Sequence, residues 1–303
     1  MSALHPLVRR LGSLAAACCI AAAVQTAFPA QVRQPITVTD DLGRTVTLNA
    51  PARRVVSLAP SITECLFAIG AGDQVVGVTD FCTAPEAART KPRIGGMVNP
   101  SMEAIVNLQP DLVLVSMEGN LKEDMLRLTG LQIPVFVTNP RTLQGIRTSI
   151  AQLGRLLGRD TSAAEVVRRM QVREDSLRAV VSPSKVDVLL AVSIRPLMVA
   201  GKGTFLHELL EAAGARNLGA LARGTYPTLS REMVLRYDPS VLLLLSDTGA
   251  DSVTLQTMFA EWPHLSAVRE QRVYTLNADL FSRPGPRAEE GLALLITLLH
   301  KRP

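Results

Sequence analysis

The segment SMEAIVNLQPDLVLV, which starts at Ser101, recurs as SREMVLRYDPSVLLL, which starts at Ser230. In the two copies the serine, the glutamate two residues on, a β-branched residue, the proline and the closing apolar run all fall in register. A second pair supports the first: LFAIGAGDQ from Leu66 parallels LEAAGARN from Leu210. Two copies roughly 130 to 145 residues apart describe a duplicated lobe and not a solenoid, which stacks at least ~3 short repeats. The chain is therefore expected to fold as two similar halves.

Each half reads as strands alternating with helices. Short β-branched or apolar runs occur at Val55 to Leu58, Val75 to Val78, Leu112 to Val115 and Val135 to Val137, then at Val186 to Val192, Val241 to Leu245 and Val273 to Leu276. Segments of helical length separate them, the pattern of parallel α/β packing. Ahead of them Ile36 and Val38, then Val46 and Leu48, alternate with threonines around DDLGR, which predicts a small hairpin. Between the halves, Leu143, Ile146, Ile150, Leu153 and Leu157 recur at helical spacing. A further helix is predicted from Thr161 to Val181, opened by Ser162 and Glu165 as a capping box and closed by Pro183; it would run roughly 30 Å. The predicted fold class is α/β: two lobes, each a central parallel sheet flanked by helices, joined by one long rigid helix. The boundaries are a leader at 1–30, an N-terminal lobe at 31–141, connecting helices at 142–183 and a C-terminal lobe at 184–303.

The leader is read from Arg9 and Arg10, the apolar run Leu11 to Val24, and the small residues up to Ala30, where cleavage is expected. The run is shorter than the ~20 residues a membrane span takes, so an exported, periplasmic protein is expected. Cys18 within the run leaves a lipid anchor open. Losing Arg9 and Arg10 lowers the net charge from +5 to +3. That mild excess, with no basic run interleaved with aromatics, gives no reason to expect nucleic acid as a partner. With 47% hydrophobic and 19% charged residues, the chain has ample material for a core. Cys65 and Cys82 remain after processing, free to pair or to stay apart.

Enzyme and metal motifs are missing. His207, His264 and His300 are widely spaced, no cysteine or histidine pair has metal-ligand spacing, and there is no G-x-S-x-G, P-loop or dinucleotide pattern. No catalytic or metal-binding residue and no resident cofactor are expected. At the start of the first lobe, Ser61 and Glu64 have the spacing of a capping box that would open a helix closed by Gly70 and Gly72.

The block DDLGRTVTLNAPARRVVSLAPSITECLFAIGAGDQVVGVTD, from Asp40 to Asp80, together with MEAIVNLQPDLVLV and TLSREMVLRYDP, resembles the exported substrate-binding proteins of ABC importers for cobalamin, haem and ferric siderophores. The resemblance covers nearly all of residues 36–303 and is closest to the cobalamin-binding members. It implies a monomer that carries a small molecule, a cobalt corrinoid or an iron chelate, to a permease homodimer with its ATPase subunits. It also implies one acid at the top of each lobe, here Glu64 and Glu232, that meets arginines of the two permease subunits; two similar lobes suit a twofold partner.

Ligands of open α/β sheets bind in loops beyond the strand ends. Candidates are Phe81, Met117, Glu118 and Arg195, then Tyr226, Asp279, Phe281 and Arg283. Phe81 and Phe281 fit a core position equally well. Asp279 matches the position that contacts corrin side chains in the cobalamin-binding relatives. One departure is the single tryptophan, Trp262, expected at a helix end in the core, where cobalamin binders line the cleft with several. Arg195, Arg223 and Arg283 could serve a ferric siderophore, and Tyr226 could ligate haem. A corrinoid ranks first, a siderophore second and haem third, with a secreted enzyme on the same two-lobed fold as the lower-ranked alternative.

Overall fold

The computed structural model describes residues 34–182, 184–246 and 262–300. The leader at 1–30, with Cys18, lies outside them. Strands β1 (Ile36–Thr39) and β2 (Thr45–Leu48) form the antiparallel hairpin, with Ile36 opposite Leu48. Its turn is held by Asp40, whose carboxylate accepts from the amides of Leu42 and Arg44 and from the Arg44 guanidinium.

The first lobe is built on β3 (Val55–Ser57), β4 (Val75–Val78), β5 (Leu112–Ser116) and β6 (Val135–Thr138), all parallel in the order β4-β3-β5-β6. Val55, Val56, Leu112, Val113 and Leu114 are fully buried. That fits strands covered by helices on both faces, and it explains why their sequences run apolar and do not alternate. Helix α1 (Pro60–Ala68) follows β3, α2 (Met102–Asn107) precedes β5, and α3 (Lys122–Gly130) follows it.

Helices α4 (Leu143–Leu157) and α5 (Asp160–Arg178) carry the chain to the second lobe. Thr142 caps α4 through the amide of Gly145, Gly158 ends it in the left-handed conformation, and the Leu143 to Leu157 stripe is buried. At about 28 Å, the 19 residues of α5 make the rigid span. The expected Ser162 capping box does not form. The helix starts at Asp160, after Arg159, and Glu165 instead accepts from Arg168 within the helix. Helix α5 ends at Arg178, three residues before the expected Val181.

The second lobe repeats the plan with β7 (Val186–Ile194), β9 (Ala215–Asn217), β10 (Val241–Ser246) and β11 (Val273–Asn277). Their parallel order, β9-β7-β10-β11, is that of the first sheet: second strand, first, third, fourth. The addition is β8 (Leu197–Val199), which folds back antiparallel on the end of β7. Helices α6 (Phe205–Ala212), α7 (Arg231–Tyr237), α8 (Ser266–Arg269), α9 (Ala278–Phe281) and α10 (Ala288–His300) complete the described part. Gly70 after α1 and Gly214 after α6 both have positive φ, so the second repeat block also agrees in backbone conformation. Trp262 is buried beside Leu229, Val234 and Leu265, with the Arg231 guanidinium 5.0 Å over its ring. Cys65 and Cys82 are buried and unbonded to each other.

Candidate ligand cleft and its charges

In each lobe the strands end on the same side, and the ends of both sheets border one cleft of about 780 Å³. The first lobe contributes Pro60 and Ser61 from the start of α1, Phe81 beyond β4, Met97, Ser116 at the end of β5, and Glu118 and Gly119 beyond it. Opposite lie the end of β7, the start of α6, Tyr226, Leu244 to Ser246 of β10, and Asp279 and Arg283 beyond β11.

Local chemistry fixes these side chains. The loop after β4 is anchored by the Cys82 thiol, 3.1 Å from the Thr63 hydroxyl and 3.2 Å from that of Thr79, and by Arg93, which donates to the carbonyls of Thr79 and Cys82. Anchoring the buried neighbours leaves Phe81 turned out, 56% exposed, as an apolar surface of the cleft. Beyond β5, Asn120 donates to the carbonyls of Leu58 and Met97 and accepts from the amide of Ser116, all within 2.9 Å. Gly119 lets the end of the Met97 side chain pack close, since a β-carbon would stand 2.0 Å from its methyl and displace it. Glu118 lies 3.6 Å from Arg141, which donates to the carbonyl of Gly203 in the other lobe at 2.8 Å. Burial, with a smaller contribution from the Glu118 charge, raises the Tyr226 hydroxyl to a pKa of about 12.

The remaining charges form one group. Asn277 caps α9 through the amide of Leu280, and Arg283 follows one turn after Asp279, with which it pairs. The Arg283 side chain is 10% exposed and reaches across the cleft edge to Glu64 at 3.1 Å, and also toward the Phe81 carbonyl. Arg287 grips Glu64 from the same side through two bonds of 2.8 Å. That contact holds the Arg287 guanidinium above its ordinary pKa.

This arrangement corrects the expectation for Glu64. Its side chain is only 4% exposed and both oxygens are taken by arginines of its own chain, so it does not stand at the lobe surface for a permease arginine. Nor does it complete a capping box: α1 starts at Pro60, whose fixed φ and missing amide hydrogen suit the first helical position, and Ala59 offers no side-chain cap. Glu232, by contrast, is exposed in the first turn of α7. The Ser230 hydroxyl caps that helix and holds the Glu232 carboxyl below its ordinary pKa. Its counterpart in the repeat is Glu103, exposed in the first turn of α2 behind the Ser101 cap.

Among the other candidates, Phe81, Glu118, Tyr226, Asp279 and Arg283 border the cleft. Phe281 is also one of the residues around the cleft, but its side chain is fully buried beside Gly291, so it backs the wall and shows a ligand little surface. Met117 and Arg195 are not among the bordering residues, since their neighbours Glu118 and Ile194 take those places. Arg195 sits where β7 turns back into β8. Met97, Ser193 and Ser246 also border the cleft and are not expected from the sequence: Met97 follows no strand, and the serines lie at the far ends of strands marked by their apolar residues. No cluster of three potential metal ligands occurs among the described residues.

The family model for periplasmic binding proteins matches residues 55–280. The chain belongs to that family. Similar proteins include an uncharacterized ABC transporter substrate-binding lipoprotein of Bacillus subtilis, YvrC, 29% identical over 85% of this chain and 83% of its own. The periplasmic vitamin B12 binding protein BtuF of Vibrio cholerae superposes with a TM-score of 0.76 at 27% identity, covering 82% of this chain and 97% of its own. The periplasmic haem-binding protein RhuT of Roseiflexus sp. RS-1 gives 0.74 at 26% identity, covering 82% and 98%. The α/β architecture and the two-lobed plan of this periplasmic binding protein agree with those structures.

Proposed function

We propose that this chain is the exported, non-catalytic substrate-binding subunit of an ABC importer and that it carries a cobalamin or related corrinoid in the interlobe cleft. The observation that carries the ligand class is the charge balance. Arg283 and Arg287 face Glu64 and Asp279, and Arg141 faces Glu118, so every described cation at the cleft has an acidic partner. A cleft with its charges balanced and with Phe81, Tyr226 and Met97 as apolar surface suits a large ligand whose rim carries neutral amides. An anionic ferric siderophore needs spare cations, whereas Arg195 and Arg223 do not border the cleft and Arg283 is already paired. The similarity to the vitamin B12 binding protein agrees with this ranking.

Delivery requires the two lobes to meet the permease homodimer, which its ATPase subunits drive. The exposed, serine-capped pair Glu103 and Glu232 fits that role, as equivalent acids on duplicated helices facing a twofold partner. Exposed pairs of this kind set register more than affinity.

The ligand is tested by titrating the purified mature protein with cyanocobalamin, haemin and a ferric siderophore, followed by absorbance and heat. Saturable 1:1 binding of cyanocobalamin, recovered unchanged, is expected. Tight binding of the siderophore or haemin without cyanocobalamin would overturn the assignment.

A further inference from the structure

Glu64 is the first-lobe member of a group whose other charges, Asp279, Arg283 and Arg287, come from the second lobe, 215 to 223 residues downstream. Three observations set it apart from an ordinary structural ion pair. It is the most buried of the four, at 4% exposure, whereas Asp279 is half exposed to the cleft. Both of its oxygens are used, one shared by Arg283 and Arg287 and the other held by Arg287 alone. And Arg283, which it contacts, itself borders the cleft and holds the Phe81 carbonyl and the Thr83 hydroxyl with its remaining donors.

Counted by direct ion pairs, two acids and two arginines balance in this group, with the exposed Glu290 acting on Arg287 from outside it. Without the Glu64 carboxylate, one acid would face two guanidiniums. A positive surplus in the wall acts strongly on any ligand placed against it, because the local dielectric is lower than that of water. We infer that Glu64 is a specificity-determining residue: as the buried counter-ion of Arg283 and Arg287 it keeps the cleft neutral and biases it against anionic ligands.

The role is indirect, through the arginines, and makes Glu64 a positioning and charge-setting residue without ligand contact of its own. It rests on the cleft being the ligand site, as proposed above, but not on the ligand being a corrinoid.

The test compares the mature wild-type protein with Glu64→Gln, nearly isosteric and uncharged, and with Glu64→Gln/Arg287→Gln, in which one acid again faces one arginine. Folding is verified by circular dichroism and melting. The probes are cyanocobalamin, without net charge, and a ferric tris-catecholate chelate, a trianion, titrated at low and moderate salt. Glu64→Gln should bind the trianion at least ~10-fold more tightly than the wild type, with the gain shrinking as salt rises. The double variant should return toward wild-type affinity, a reversal that simple structural damage would not produce. A folded Glu64→Gln with no gain for the trianion, or a gain retained in full by the double variant, overturns the inference.

Should Glu64→Gln not fold, Arg287→Gln leaves two acids facing one arginine and should bind the hexaamminecobalt(III) cation several-fold more tightly than the wild type; equal binding overturns the inference by that route. Cyanocobalamin that fails to bind any form would refute the corrinoid assignment alone, because the trianion comparison does not involve it.

Discussion

Glu64 and Glu103 belong to the same lobe, lie on short helices that follow strands of one sheet, and meet opposite fates. Glu103 stands exposed behind a serine cap, and its twin Glu232 does the same on the second lobe. Glu64 is enclosed, with two arginines of the other lobe on its carboxylate. Their helix starts differ, a Ser101 cap before one and Pro60 before the other, but neither start encloses an acid. What separates them is whether the opposite lobe supplies counter-charges, so the fate of an acid here is a property of the interlobe seam and not of its own helix.

The most complete effect expected from that contrast concerns the outward pair. Replacing Glu103 and Glu232 together by alanine should abolish ligand uptake in cells while leaving ligand affinity unchanged by calorimetry and the melting temperature within about 1 °C. Uptake that persists would separate these acids from permease docking. Next comes the seam. Glu64→Ala strands two arginines beside a single remaining acid, and breaking a buried pair in this way costs about 3–5 kcal/mol. The melting temperature should fall by on the order of 10 °C; a fall as small as that of the outward pair would erase the distinction between the two surfaces.

A smaller effect is expected at Glu289, which sharpens the comparison because it is buried without such generous partners. Its Oε1 has no hydrogen-bond partner among the described residues, and burial, with the nearby Glu174 charge, raises its pKa. A raised carboxyl pKa means that the folded state holds the proton more tightly than the unfolded one. Its ionisation therefore lowers stability as pH rises through the interval between the ordinary and the raised value. Glu289→Gln should melt higher than the wild type at pH 7, and the gap should close as pH falls to about 4, where both forms are uncharged. Equal melting at both pH values would show that Glu289 is adequately solvated.

Much of the fold was legible because its causes are local. Apolar runs such as Leu112 to Val115 mark strands buried on both faces, and the repeated block carries matching Ser101 and Ser230 caps that the backbone uses in both lobes. The rule that ligand sites lie beyond strand ends brought Phe81, Glu118, Asp279 and Arg283 to one cleft. It failed where a one-residue difference in direction decides, as for Met117 beside Glu118 and for Arg195 at the turn into β8. Phe81 lies in a loop and Phe281 at the end of the short α9, yet one is 56% exposed and the other fully buried, packed beside Gly291 of α10. Glu64 was the hardest to read, since its partners stand 219 and 223 residues away. The repeat itself held the better clue, because it aligned Glu232 with Glu103 and not with Glu64.

The Glu64 clasp also bears on how freely the two halves can diverge. Duplication produces interchangeable modules, and the matching strand orders retain that ancestry. A carboxylate from one module buried against guanidiniums from the other ends the interchangeability. A hybrid joining the first half of this protein to the second half of a relative without Arg283 and Arg287 would inherit a buried acid with no counter-ion, so the two halves are bound to change together.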